Sequence, residues 1–419
     1  MRSGGVRRDG DLRAAMAVAL VSAVAVSSCA ERGGVVGWTV SADTVDGTIR
    51  VINTPPASGA NPTILADEEL RIGEVEGGGP ATFGWIRTIA VLEDGRIAVA
   101  DAQAEEVRLF DRDGHYLRTF GGKGGGPGEL QGMQGVYLDP EGLLRVPEQE
   151  NARLSVFDPD TGFVRSYPLY LFSYSFRGPW TAAFDSTGRT LVASSGRFGE
   201  GRYWNMLRIY DRDMLQVDSV PYYDYTDDGS RDHPGVWKIA VGRGTLHVGV
   251  PFYPMPQETL SPTGEFWTSS DGAQELEVAR WTPPGDTTLV IVSRRPAAQV
   301  TDAERDSAMA EITGRLEGRT PSEAKLDASK IPSFKPPVQG LSLDDHGRLW
   351  ARLSGSGVEP TVYDIFNRDG IHAETVSLPF SVDESIPPIT RGDELWAVVT
   401  DEFDVQYVVR ARMRSVREH

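Results

Sequence analysis

The stretch Ile86–Phe120, IRTIAVLEDGRIAVADAQAEEVRLFDRDGHYLRTF, reads as four short strands. An apolar run, Ile86–Leu92, meets a turn at Asp94-Gly95. A second run, Arg96–Ala100, is followed by a polar loop and a third run, Val107–Phe110. The turn Asp111-Arg112-Asp113-Gly114 leads into the fourth, Tyr116–Phe120. Asp-Gly pairs between alternating apolar residues signal hairpins, because glycine supplies the positive φ that a tight turn needs.

The same plan returns after 47 residues, without a gap from Leu70 to Asp111. Leu70-Arg71 falls on Leu117-Arg118, Gly77–Pro80 on Gly124–Pro127, Gly95 on Gly142, Val99 on Val146, and Phe110-Asp111 on Phe157-Asp158. A period of about 45 residues with four strands per unit is the signature of propeller blades. The third-strand ending recurs as Val156-Phe157-Asp158, Ile209-Tyr210-Asp211 and Ile365-Phe366-Asn367. The first turn recurs as Glu141-Gly142, Thr187-Gly188, Thr263-Gly264 and His346-Gly347. Blades are therefore expected at 83–120, 133–170, 180–222, 257–294 and 338–379.

The last blade draws on both ends of the chain. Ile386–Ile389, Leu395–Thr400 and Val405–Met413 supply three strands, and the orphan Glu69–Val75 supplies the fourth. Such pairing removes two exposed sheet edges. The expectation is an all-β, six-bladed β-propeller over residues 67–419. Trp237–Pro251 reads as a further hairpin, which leaves seven blades as the alternative. Val300–Leu316 turns helical behind a Thr301/Glu304 capping box, and a second short helix is expected over Pro321–Ala328, a small insertion spanning about 300–330. It reads either as a lid over the channel mouth or as a decoration on the rim.

The N-terminus is of a different kind. Arg2, Arg7, Arg8 and Arg13 precede an apolar stretch, Ala14–Val26, which is too short for a stable bilayer anchor but right for a signal-peptide core. It ends in Val26-Ser27-Ser28-Cys29, and Cys29 is the only cysteine of the 419 residues. This resembles the bacterial lipobox. The resemblance implies cleavage after Ser28, lipidation of Cys29 and membrane attachment through the acyl chains. Residues 1–28 are then a lipoprotein signal peptide and 29–66 a tether and N-terminal extension. Ala30 follows the cysteine where an acidic residue would favour the inner membrane, so the cell envelope at the outer membrane is expected. One cysteine also suits an oxidising compartment. The net charge of −18 repels phosphate backbones, and no basic cluster with interleaved aromatics offsets it, so nucleic-acid binding is excluded.

The chain resembles the six-bladed, NHL-like propeller lipoproteins of environmental bacteria. The resemblance is carried by Gly73 with Gly77–Pro80, by Phe120–Glu129, by the Phe-Asp-x-Asp-Gly turns and by Thr400–Val408. It implies the fold and little about activity. Related propellers bind protein, RNA or sugar, or act as lyases and lactonases, and the fold does not choose among them.

A phosphate loop would open a helix and end in Lys-Ser/Thr; Gly121–Gly128 joins two strands and has a twin one blade earlier, so it reads as a connector. The six histidines show no metal-ligand spacing, and no Gly-x-Ser-x-Gly elbow exists. No cofactor motif is present. Ca²⁺ is the one cation considered, at Asp224, Asp227, Asp228 and Asp232, whose spacing differs from an EF-hand loop. The aromatic crowd is the most unusual feature: Tyr167, Tyr170, Phe172, Tyr174, Phe176 and Trp180, then Tyr203-Trp204, Tyr222-Tyr223, Tyr225 and Phe252-Tyr253. Core packing accounts for many of these. Several are expected in loops beside Arg177, Arg202 and Asp224, where rigid rings and a few polar groups suit peptide or sugar recognition. The expected ligand-binding residues are Arg177, Trp180, Arg202, Tyr203, Trp204 and Asp224. The function expected is binding or scaffolding of a peptide, glycan or protein partner. A metal-dependent lactonase- or lyase-type enzyme and a purely structural envelope protein are the alternatives.

Overall fold

The structure is a computed structural model. It describes residues 37–59, 61–75, 77–169, 182–185, 187–198, 202–224, 234–261, 264–270, 272, 274–282, 286–318, 326–355, 360–383 and 385–416. Cys29, Arg177 and Trp180 lie outside them, as do Tyr170, Tyr225, Asp227, Asp228 and Asp232.

The strands form six antiparallel four-stranded sets. Sheet 1 runs from Ile86 to Gly121, sheet 2 from Tyr137 to Pro168, sheet 3 from Ala182 to Asp224, sheet 4 from Glu258 to Ser293 and sheet 5 from Val338 to Ser377. Sheet 6 takes three strands from Ile389–Arg391, Glu394–Thr400 and Gln406–Ser415, and its fourth is Ile64–Ile72. The closing strand thus begins earlier than Glu69, with Ile72 paired to Val408 and Ile64 to Ser415.

The order round the ring follows from the cores. Phe110, Ile97 and Trp396 pack sheet 6 on sheet 1. Leu109, Leu144 and Phe157 join sheets 1 and 2, and Leu154, Val192 and Tyr210 join sheets 2 and 3. Leu207 and Trp281 continue to sheet 4, Ile291 and Phe366 to sheet 5, and Trp350 and Leu395 to sheet 6. Each sheet is too small to bury its apolar faces alone, so the faces stack on neighbours until the ring closes. The fold is a β-propeller. In sheets 1 and 2 the fourth strand is mostly exposed and the second and third are buried, which sets the fourth at the rim.

The polar side chain that follows the third strand has a physical role in sheets 1, 3 and 5. Asp111 Oδ1 accepts the amides of Asp113 and His115, Asp211 those of Asp213 and Leu215, and Asn367 those of Asp369 and Ile371. Each side chain closes its own turn and frees the chain to reverse. Gly114, at φ +85°, takes the left-handed position there.

Two pieces stand outside the repeat. Thr39–Val45 and Thr48–Thr54, within the segment read as tether and extension, form a hairpin. Its second strand adds in parallel to sheet 4, Ile49–Asn53 beside Leu289–Ser293. Asn53, fully buried, donates to the Gly370 carbonyl (2.9 Å) and accepts from the His372 amide (2.8 Å), while Trp38 stacks on the His372 ring at 3.7 Å. The hairpin at 236–249 pairs only with itself. Sheets 3 and 4 pack directly on each other, so this hairpin is not interposed as a blade. It packs instead on helix α1 (Asp302–Leu316) through Trp237, Val250, Ile312 and Ile331. The second helix expected at Pro321–Ala328 falls partly outside the described residues; what is seen is one 3-10 turn, Ala328–Lys330.

Candidate functional site

The connections that leave the fourth strands of sheets 1 and 4 lie on the same face as the turns between second and third strands. The Gly-rich connector between sheets 1 and 2 is held shut there. Arg153 donates to the carbonyls of Gly125, Gly126 and Glu129 (3.1, 3.0 and 2.6 Å), and Asn151 to that of Gly124 (3.0 Å). Glu148, fully buried, organises both donors: it accepts from Arg153 Nε (2.9 Å), Asn151 Nδ2 (2.5 Å), Ser155 Oγ and the Gln131 amide. Asp101, its counterpart one repeat earlier, accepts from the amides of Gly84, Trp85, Gln103 and Ala104. The arrangement turns the loop's acceptors inward, the opposite of what a phosphate cradle presents.

The connection between sheets 4 and 5 is longer and carries α1. Its neck is tied by Val300 N to Ser333 O and Lys335 N to Ala298 O. Thr301 caps the helix: its hydroxyl accepts the Glu304 amide while Glu304 accepts the Thr301 amide. Residues 309, 312 and 316 recur at helical spacing and face the 236–249 hairpin, where Trp237 Nε1 donates to the Asp327 carbonyl (3.0 Å). Residues 304, 307, 308 and 311 occupy the other side and wall a cavity of about 810 Å³. The helix is therefore packed on one flank and open on the other.

Segments in and beside the strands of sheets 4 and 5 supply much of the remaining wall, with Arg295, Lys335, Arg352 and Ser354 among them, and Pro62, Phe252, Ser381 and Val382 complete it. Lys335 is only 3% exposed. Its Nζ donates to Glu304 (2.5 Å) and to the Gly355 carbonyl. Burial pushes the Glu304 carboxyl up, but hydrogen bonds from Lys335 and Thr301 outweigh it and hold the group below its ordinary value. Arg295 forks onto Asp364 at 2.7 and 2.6 Å. Burial again opposes ionisation of Asp364, and hydrogen bonds from His372 and Arg295 reverse the sign and lower its pKa. Two hydroxyls in the wall, Ser293 Oγ and Ser354 Oγ, are buried without a hydrogen-bond partner. Phe252, also in the wall, has φ +58°, a left-handed conformation that strains a bulky residue.

Of the residues expected at a ligand site, Arg202, Tyr203 and Trp204 open the third strand of sheet 3, and Asp224 ends the fourth, paired across from Trp204. Sheet pairing brings these four to one end of one sheet. The expectation that they lie in loops is corrected: Arg202–Tyr210 and Gln216–Asp224 are strands of nine residues. Aromatic residues favour extended backbone, and the hairpin runs on past the usual blade length. The 810 Å³ cavity lies elsewhere, and among the described residues of the aromatic list Phe252 lines it. Sequence reasoning missed Lys335, Arg295 and the two serines, which no local motif marks. Among the described residues no group of three or more His, Cys, Asp and Glu side chains is placed to hold a metal ion.

The chain is thus a β-propeller with a walled cavity on its loop-rich face. A scan against protein-family models finds no match, and a comparison with curated proteins finds none either. Solved structures do resemble it. A Bacteroides fragilis protein described as exported aligns over 85% of this chain and 96% of its own length, at 9% identity and TM-score 0.48. A streptogramin B lyase aligns over 84% and 98%, at 10% and 0.44. A calcium-binding regucalcin from Agrobacterium tumefaciens aligns over 84% and 96%, at 12% and 0.40. These are likenesses of chain architecture only.

Proposed function

We propose that this chain is a cell-envelope binding module: a six-bladed, NHL-like propeller, exported behind the signal peptide of residues 1–28 and attached by lipid at Cys29 to the outer membrane. Closed by Ile64–Ile72, the propeller has the task of holding a peptide, glycan or protein partner on the loop-rich face. The export and anchoring rest on the lipobox resemblance and the Ala14–Val26 run. One observation carries the binding role: an 810 Å³ cavity whose wall holds buried hydroxyls with no internal partner. Buried polar groups are nearly always satisfied, so a ligand or bound water would complete them, and the volume is that of a small-molecule site.

Ala308→Trp tests the reading, because the new ring fills the cavity from the open flank of α1. Partners captured by the native protein in an envelope extract should be lost from the variant while thermal stability is kept. Retention of every partner would defeat the assignment. An equimolar metal ion in the purified protein, together with lactone or lyase turnover, would move the reading to the enzyme alternative.

A further inference from the structure

We infer that the cavity beneath α1 takes an uncharged sugar unit of a glycan. This deepens the binding role above and rests on it. Three features of the wall converge on that chemistry.

The first is charge. Arg295 is already forked onto Asp364 and Lys335 onto Glu304. An anionic ligand would have to compete with carboxylates held at hydrogen-bond distance, and a cationic one with the cations. An uncharged ligand meets neither cost.

The second is the hydrogen-bonding character of the free groups. Ser293 is 2% exposed, and its Oγ, like that of Ser354, has no partner. A hydroxyl both donates and accepts, which matches the hydroxyls of a sugar. The peptide alternative fares worse, since strand addition needs a row of backbone N–H groups. Pro62, Pro296, Pro336, Pro337 and Pro360 line this space and have none.

The third is Phe252. Its ring lines the cavity, with Lys335 Nζ 5.9 Å from the centroid. The left-handed backbone is strained for a residue with a side chain, and glycine would adopt it freely. A ring kept at such a position offers an apolar face against which the C–H face of a sugar ring can lie.

The test uses the full-length protein, titrated with malto-, cello- and chito-oligosaccharides and separately with a random peptide pool, read by saturation-transfer NMR and calorimetry. Binding of at least one neutral oligosaccharide is expected, weakened roughly tenfold or more by Phe252→Gly, with the fold of that variant checked by circular dichroism because the ring also packs beside Trp237 and Ile312. Ala308→Trp should abolish it. Sugar binding untouched by both variants would place the glycan site elsewhere and overturn the cavity assignment. Peptide binding sensitive to Ala308→Trp, with no sugar binding, would overturn the glycan class and leave the cavity standing. No binding of either at millimolar ligand would overturn both.

Discussion

The connector between sheets 1 and 2 and the connector between sheets 4 and 5 solve one problem in two ways. Both must cross the loop-rich face, and both are pinned by a buried ion pair. In the short connector the buried member is an anion, Glu148, and its partner Arg153 spends its remaining donors on loop carbonyls. In the long one the buried member is a cation, Lys335, tied to the first turn of α1. The first tie draws the loop carbonyls onto Arg153; the second stands beside an 810 Å³ space. A repeat scaffold can thus open a site by lengthening one connector, provided the pin is kept.

This contrast can be broken most forcefully at Glu148. Glu148→Ala strands Arg153 and three other donors, and a loss of about 3–5 kcal/mol is expected in denaturant unfolding. At the second pin the two partners should behave unequally. Glu304→Ala leaves the Lys335 ammonium buried, and about 3 kcal/mol is expected. Lys335→Met leaves Glu304, which is 21% exposed and can rehydrate, so under about 1 kcal/mol is expected. Equal costs would show that the pin is worth no more than a surface pair. Thr301→Ala removes half of the capping box and should cost about 1 kcal/mol, seen as faster hydrogen exchange in 302–316 with the sheets unchanged.

The smallest effect is one of pH. Glu304 and Asp364 both have folded pKa values below their ordinary 4.5 and 3.8. The unfolded chain therefore takes up protons first as pH falls. Their stabilisation is complete above about pH 5 and fades as acidification passes 4.5 and below. Melting curves of the native protein and Lys335→Met should approach each other there. A gap that instead changes between pH 6 and 8 would assign the dependence to another group.

How much of this could be read in advance depends on how local the cause is. The register Leu70–Asp111 on Leu117–Asp158 is a pattern of neighbours, and it placed the sheets. Thr301 and Glu304, three residues apart, announced their cap. The closing strand was legible because its apolar run had no partner nearby. The hairpin at 39–54 was not: it pairs with residues 286–293, far along the chain, and its mostly exposed first strand resembles any polar extension. The cavity was hidden for a similar reason. Ser293, Lys335 and Ser354 come from three separate segments and carry no spacing that a sequence can show. Tyr203-Trp204 misled because aromatics beside charges fit a loop platform and a long strand equally well.

The placement of that N-terminal hairpin has a mechanical consequence. The chain passes through sheet 4 before it reaches Ile64–Ile72, the strand on which the ring depends. Traction on residue 37 is met first by the ladder of Ile49–Asn53 and by the wedge of Trp38 against His372. Like a cable grip at a socket, the hairpin takes up the pull so that the clasp behind it does not.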